Sequence, residues 1–113
     1  MTARKDMDKN KAMNRDQIIA TLQAHALQLR AAGVMSLSLF GSLARGESSA
    51  QDIDVAVRLG QNFSERGFDY FSRLDELEER LSKILGCNVD VVEEPVRKER
   101  FQKEIDRDRA VAF

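Results

Sequence analysis

The sequence predicts a small α/β domain, with helices packed on a sheet of at least three strands. Three observations predict it. Apolar residues recur at helical spacing in three stretches and alternate with a period of two in three others. The two patterns interleave in the order helix, strand, strand, helix, strand, helix. Glycines stand where one period gives way to the next, at Gly33, Gly41 and Gly86.

The elements follow in order. Residues 1–13 are polar and charged with little apolar content, and are expected to form a flexible tail ahead of one domain spanning 14–113. Asn14 is placed as a helix N-cap, with Gln17 in the capping-box position. Ile18, Leu22, Ala26 and Leu29 then recur along one helix that Gly33 ends. From Met35 the period becomes two, with Met35, Leu37 and Leu39 on one face of a strand running into Phe40. After a polar loop, residues 52–59 form a second strand, with Ile53, Val55, Val57 and Leu59 opposite Asp52, Asp54, Ala56 and Arg58. Phe68, Phe71, Leu74, Leu77, Leu81 and Ile84 make the stripe of a strong amphipathic helix that stops at Gly86. Residues 89–92 are a short strand carrying Asp90, closed by Pro95, and residues 97–113 are a weaker last helix with Phe101 and Ile105 inward. The pattern leaves strand directions open.

Composition narrows the function. The chain has 113 residues, which allows one domain, and 42% apolar content supports a real core. A formal net charge of −1 argues against nucleic-acid binding by bulk electrostatics, and one tyrosine with no tryptophan leaves few rings for base stacking. No apolar run approaches the roughly 20 residues that span a bilayer. The polar N-terminus lacks the apolar stretch of a secretion signal, so a cytoplasmic domain is expected. Cys87 is alone, which removes intramolecular disulfides and Cys-rich zinc sites.

The unusual feature is Asp52 and Asp54 in a strand that otherwise reads as core. Residues two apart in a strand project from the same face, so both carboxylates point one way. Close carboxylates repel and are costly to desolvate without a cation, which points to an oxygen-loving divalent ion. Alone, the pair fits equally well two carboxylates facing solvent at a sheet edge. Upstream, Gly41-Ser42-Leu43-Ala44-Arg45-Gly46 follows a strand directly. Glycine permits a tight turn whose amides can face an anion, and Ser42 adds a hydroxyl donor. No Walker A lysine follows, and hairpins use the same residues.

Together, residues 40–46 and 52–57 closely resemble the signature of the DNA polymerase β-like nucleotidyltransferases. The match is nearest to the minimal nucleotidyltransferase (MNT) family, small antitoxins found beside HEPN-domain toxins. Asp90 sits where that family has a third carboxylate, and the tail from Phe101 to Ala110-Val111 is similar to its closing helix. The resemblance spans roughly residues 14–113. Gln51 stands where the family commonly has serine, and the 42–52 connection is slightly shorter than in many members.

The resemblance implies a small mixed sheet of the polymerase β-like fold. It implies two Mg²⁺ ions bridged by Asp52 and Asp54, with Asp90 on the catalytic ion. Gly41 and Ser42 would hold the phosphates of ATP. Arg45 joins them as a candidate phosphate contact, although arginines on a helix surface are usually solvated. The implied reaction moves AMP from ATP to a hydroxyl, a tyrosine's, on a HEPN ribonuclease toxin. Two other outcomes stand beside it: a non-catalytic antitoxin that neutralises by binding, and transfer to a small molecule. His25, Cys87, Tyr70 and the basic positions Arg97, Lys98, Arg100 and Lys103 are expected to serve packing or solvation.

Overall fold

A computed structural model describes residues 14–41, 43–45, 52–63 and 70–113. The tail 1–13, Ser42, Phe68 and the loop before Asp52 lie outside the described residues. Four helices and four strands are described: α1 (Arg15–Ala24), α2 (Ala26–Ala31), β1 (Val34–Phe40), β2 (Asp52–Leu59), α3 (Tyr70–Leu85), β3 (Asn88–Glu93), α4 (Glu99–Asp108) and β4 (Ala110–Val111). A single 3₁₀ turn, Gln61–Phe63, follows β2.

The capping box is present. Asn14 Oδ1 accepts the Gln17 amide at 2.8 Å, and Gln17 Oε1 accepts the Asn14 amide at 2.9 Å. The single helix expected from there to Gly33 is instead two, parted at His25. The His25 ring donates from Nδ1 to the Thr21 carbonyl at 2.9 Å, the partner an α-helix reserves for the His25 amide. That amide turns to Leu22 O at 3.0 Å. Gly33 then needs its positive φ of 109°, and a Cβ there would lie 2.9 Å from the Phe63 Cβ.

The strands form one mixed sheet in the order β3-β2-β1-β4. β1 runs antiparallel to β2 and β4, whereas β2 and β3 are parallel. Met35 does not face the core as its alternation predicts and is 63% exposed. The β1–β2 register shifts between Val34 and Ser36, so Val34 takes the core position and Met35 is the extra residue. Phe71 also leaves its predicted stripe, at 74% exposed, while Leu77, Leu81 and Leu85 are buried. Tyr70 is the ring that packs inward at that end, edge-on to Phe63.

The fourth strand is a correction to the sequence reading, which placed Ala110 and Val111 in the last helix. α4 stops at Asp108, Arg109 is extended at φ −54° and ψ 129°, and two residues pair with β1. Two residues are too few for alternation to reveal a strand.

The sheet is covered on both faces. Ile53, Val55, Val57, Val89 and Val91 meet Ile18, Leu22, Leu29, Leu77 and Leu81 in the main core. On the other face Phe40, Ala56 and Ile105 form a smaller cluster with Val92, Val96 and Phe101 beneath α4. The outer edge of β3 is protected by α3, where Ser82 Oγ accepts the Val89 amide at 3.2 Å and Glu78 Oε2 accepts the Val91 amide at 3.0 Å.

A buried ion pair fastens the C-terminal segment. Glu94, its side chain 1% exposed, receives both Arg109 Nη1 at 3.0 Å and Nη2 at 2.5 Å, and Gln102 Nε2 at 2.7 Å. Arg109 also donates to Ser38 Oγ at 3.1 Å, tying α4 to β1. The Arg109 hydrogen bonds hold the Glu94 carboxyl below its ordinary value of 4.5 against the opposing effect of burial. A depressed carboxyl stabilises the fold above the unfolded value and loses that contribution as pH falls through the folded one. Glu94→Gln should therefore cost about 2 kcal/mol at pH 7. In urea denaturation at a series of pH values, the gap to the parent should shrink below pH 4.5.

Candidate active site

The two strands that carry the carboxylates run parallel, and their register decides how those groups meet. Asp54 is the Cα partner of Asp90, and Asp52 of Asn88. Directly paired residues share a face, so Asp54 and Asp90 stand side by side on the α4 side of the sheet, with Asp52 two residues toward the start of β2. Across Asp54 on its other flank is Phe40 of β1. The apolar neighbour and the second carboxylate explain the electrostatics of Asp54. Burial pushes its carboxyl above the ordinary 3.8, and the charges of Asp90 and then Asp52 push it further.

The chain leaving β1 passes over this group. Gly41 has φ 83°, and a Cβ on it would lie 3.0 Å from Asp54 Oδ2. Glycine is required both by the left-handed backbone and by that approach. The Arg45 amide then donates to Gly41 O at 3.2 Å, closing one helical turn whose Leu43 and Ala44 are buried in the main core. Ser42, the hydroxyl of the predicted phosphate seat, lies outside the described residues. Arg45 is placed against Asp108 at 2.7 Å.

Sequence reasoning did not single out an acidic cleft that adjoins Asp52 and Asp90. Asp75, Glu78 and Glu79 of α3 line a cleft of about 640 Å³ together with Asp52, Asn88 and Asp90. Their helical spacing places them on one side of α3, but only the parallel β2–β3 pairing brings that side to the carboxylates. Among the described residues, none of Asp52, Asp54 or Asp90 is ion-paired with a lysine or arginine. Among the described residues, Asp52 accepts one side-chain hydrogen bond, from Asn88 Nδ2 at 3.3 Å.

The donor chemistry suits a hard divalent cation. Carboxylate oxygens on one rigid face, without basic partners, are what Mg²⁺ takes before phosphate oxygens and water complete its shell. Among the described residues no group of three or more such side chains is already gathered around one point. A bound ion would have to draw the carboxylates together.

Of the remaining candidates, Cys87 lies close enough to Asp52 to feel its charge, and the others stand apart. The Tyr70 hydroxyl donates to the Glu93 carboxylate at the other end of β3, and burial with that bond pushes it up to about 12. Cys87 is half-buried, its thiol pushed up by burial and by Asp52. Arg97, Lys98, Arg100 and Lys103 are exposed. No described helix is long and apolar enough to cross a membrane.

Residues 23–112 match the family described as the nucleotidyltransferase domain. The chain belongs to the nucleotidyltransferase domain family. A relative from Thermococcus cleftensis, named protein adenylyltransferase MntA, is 34% identical over 95 residues, covering 82% of this chain and 90% of its own. A solved chain provisionally assigned as a minimal nucleotidyltransferase shares the fold with a TM-score of 0.69 at 24% identity, covering 87% of this chain and 95% of that one. A solved toxin–antitoxin structure with AMP-PNP has a TM-score of 0.59 at 21% identity, covering 89% of this chain and 73% of that one. The expected α/β architecture and enzyme class therefore hold, and this nucleotidyltransferase carries its carboxylates on the pair of strands predicted to hold them.

The clustered charge has a measurable consequence. Asp54 is pressed by burial and by two like charges, so its ionised form opposes folding in the metal-free nucleotidyltransferase. Asp54→Asn should raise the melting midpoint of the metal-free protein at pH 7 by a few degrees while removing activity. A lower midpoint in that variant would show that Asp54 is compensated in the fold.

Proposed function

We propose that this nucleotidyltransferase moves AMP from ATP, in a Mg²⁺-dependent reaction, onto a tyrosine hydroxyl of a HEPN ribonuclease toxin, and so acts as its cytoplasmic antitoxin. The observation that carries the reading is the Asp54–Asp90 pairing with Gly41 folded closely over it. A carboxylate pair beneath a tight turn provides a cation seat next to a phosphate seat. The relative named protein adenylyltransferase and the toxin–antitoxin structure holding AMP-PNP support the donor nucleotide and the kind of partner.

In this reading Asp52 and Asp54 would hold both ions, and Asp90 would hold the one that activates the acceptor hydroxyl. Gly41 and Ser42 hold the terminal phosphates. Mg²⁺ would supply charge neutralisation and activation of the acceptor hydroxyl when bound. The acceptor oxygen bonds to the α-phosphorus, the bond to the β-phosphate bridging oxygen breaks, pyrophosphate leaves and the hydroxyl proton is released to solvent. The chain's own contribution is to fix the triphosphate in line against the turn, which removes orientational freedom before reaction.

Incubating the purified chain with labelled ATP, Mg²⁺ and the product of the adjacent gene tests the assignment. Label on the partner supports transfer, and a tight complex without label supports neutralisation by binding alone. Asp90→Asn should still bind Mg·ATP within about tenfold of the parent, roughly 1.4 kcal/mol. It should transfer AMP at least ~100-fold more slowly in single turnover, roughly 2.7 kcal/mol of barrier. Near-normal turnover in that variant would move the third ligand elsewhere.

A further inference from the structure

The turn after β1 is held from two directions by elements far away in the chain. Arg15, the first residue of α1, donates from Nη1 to the Ala44 carbonyl at 3.1 Å. Arg45 donates from Nη1 to Asp108 Oδ2 at 2.7 Å, at the last residue of α4. Asp108 is a largely buried carboxylate, 7% exposed, and its other oxygen takes Arg107 Nε at 3.1 Å. Beyond it, Arg109 is locked by Glu94 and Ser38, so Asp108 is anchored to the sheet on its C-terminal side. Arg45 therefore connects the turn to a fixed point.

That connection acts where clearance is small. Gly41 and Arg45 are joined by the 3.2 Å backbone hydrogen bond, and Gly41 is the residue whose Cβ position lies 3.0 Å from Asp54 Oδ2. A shift of Arg45 is passed to Gly41 through that bond, and so alters the gap between turn and carboxylate.

We propose that Arg45 and Asp108 form a latch that sets the height of the turn over Asp54, making both of them positioning residues for the nucleotide. The proposal rests on the reading of this turn as the seat of the ATP phosphates. It differs from a direct role for Arg45 at the phosphate in a way that one variant separates. If Arg45 were a phosphate ligand, Asp108 would compete for it, and removing the Asp108 charge would leave binding unchanged or tighter. With the latch, removing either partner loosens the same turn.

The test is calorimetric titration of the full chain with ATP in Mg²⁺, for the parent, Asp108→Asn, Arg45→Ala and the double variant. Each single variant should weaken Kd about 5- to 10-fold, and the double should be no weaker than the worse single, because both remove one interaction. In steady-state transfer the effect should fall on KM, with kcat at saturation changed by less than about threefold. Amide exchange of Leu43, Ala44 and Arg45 in the nucleotide-free protein should rise about tenfold in either single variant. The exchanged pair Arg45→Asp with Asp108→Arg should recover part of the lost affinity. Parent-strength or tighter binding by Asp108→Asn overturns the latch while leaving the site reading intact. A parent that binds no Mg·ATP overturns the site reading, and the latch falls with it.

Discussion

Parallel pairing of β2 with β3 sets Asp54 opposite Asp90, and like charges in adjacent strands are ordinarily avoided because they repel across about 5 Å. The molecule holds them there by means that do not depend on the carboxylates. Ile53, Val55, Val89 and Val91 bury the reverse face of the same two strands, so the register is fixed by apolar packing. A one-residue slip would carry the valines to the wrong face. The core thus imposes a repulsion on the site, which under the proposed reading a bound cation would relieve.

The same logic explains why so much of the structure lies on the α4 side. The small cluster of Phe40, Ala56 and Ile105 cannot by itself hold a helix against a sheet face bearing several carboxylates. The Glu94–Arg109 pair adds a polar clamp whose groups satisfy one another and whose reach extends to Ser38 in β1. Its position gives β4 its place on the free edge of β1 and gives Asp108 a fixed location beside the turn. Stability and site geometry share these residues, so charge changes in α4 are expected to act on both.

The legible features were local. The Asn14–Gln17 box, the β2 alternation and the Asp52, Asp54 and Asp90 spacing each depend on neighbours within a few residues. The features that escaped depend on partners far away in the chain. Met35 turned outward because the β1–β2 register shifts beside it. His25 divided a helix through a side-chain bond to its own i−4 carbonyl, which a helical period does not record. Ala110 and Val111 formed a strand because β1 had a free edge, and Phe71 gave its place near the core to Tyr70.

The sequence by itself determined the alternation of helical and strand segments up to α4, the family signature and which strands carry carboxylates, because periodicity and spacing are properties of short stretches. The tertiary structure decided the rest. It brought Asp90 into register with Asp54, turned the acidic side of α3 toward Asp52, and set Arg45 against a carboxylate sixty-three residues away. Those relations arise from strand direction and helix docking, which apolar burial selects over the whole chain and which no local pattern encodes.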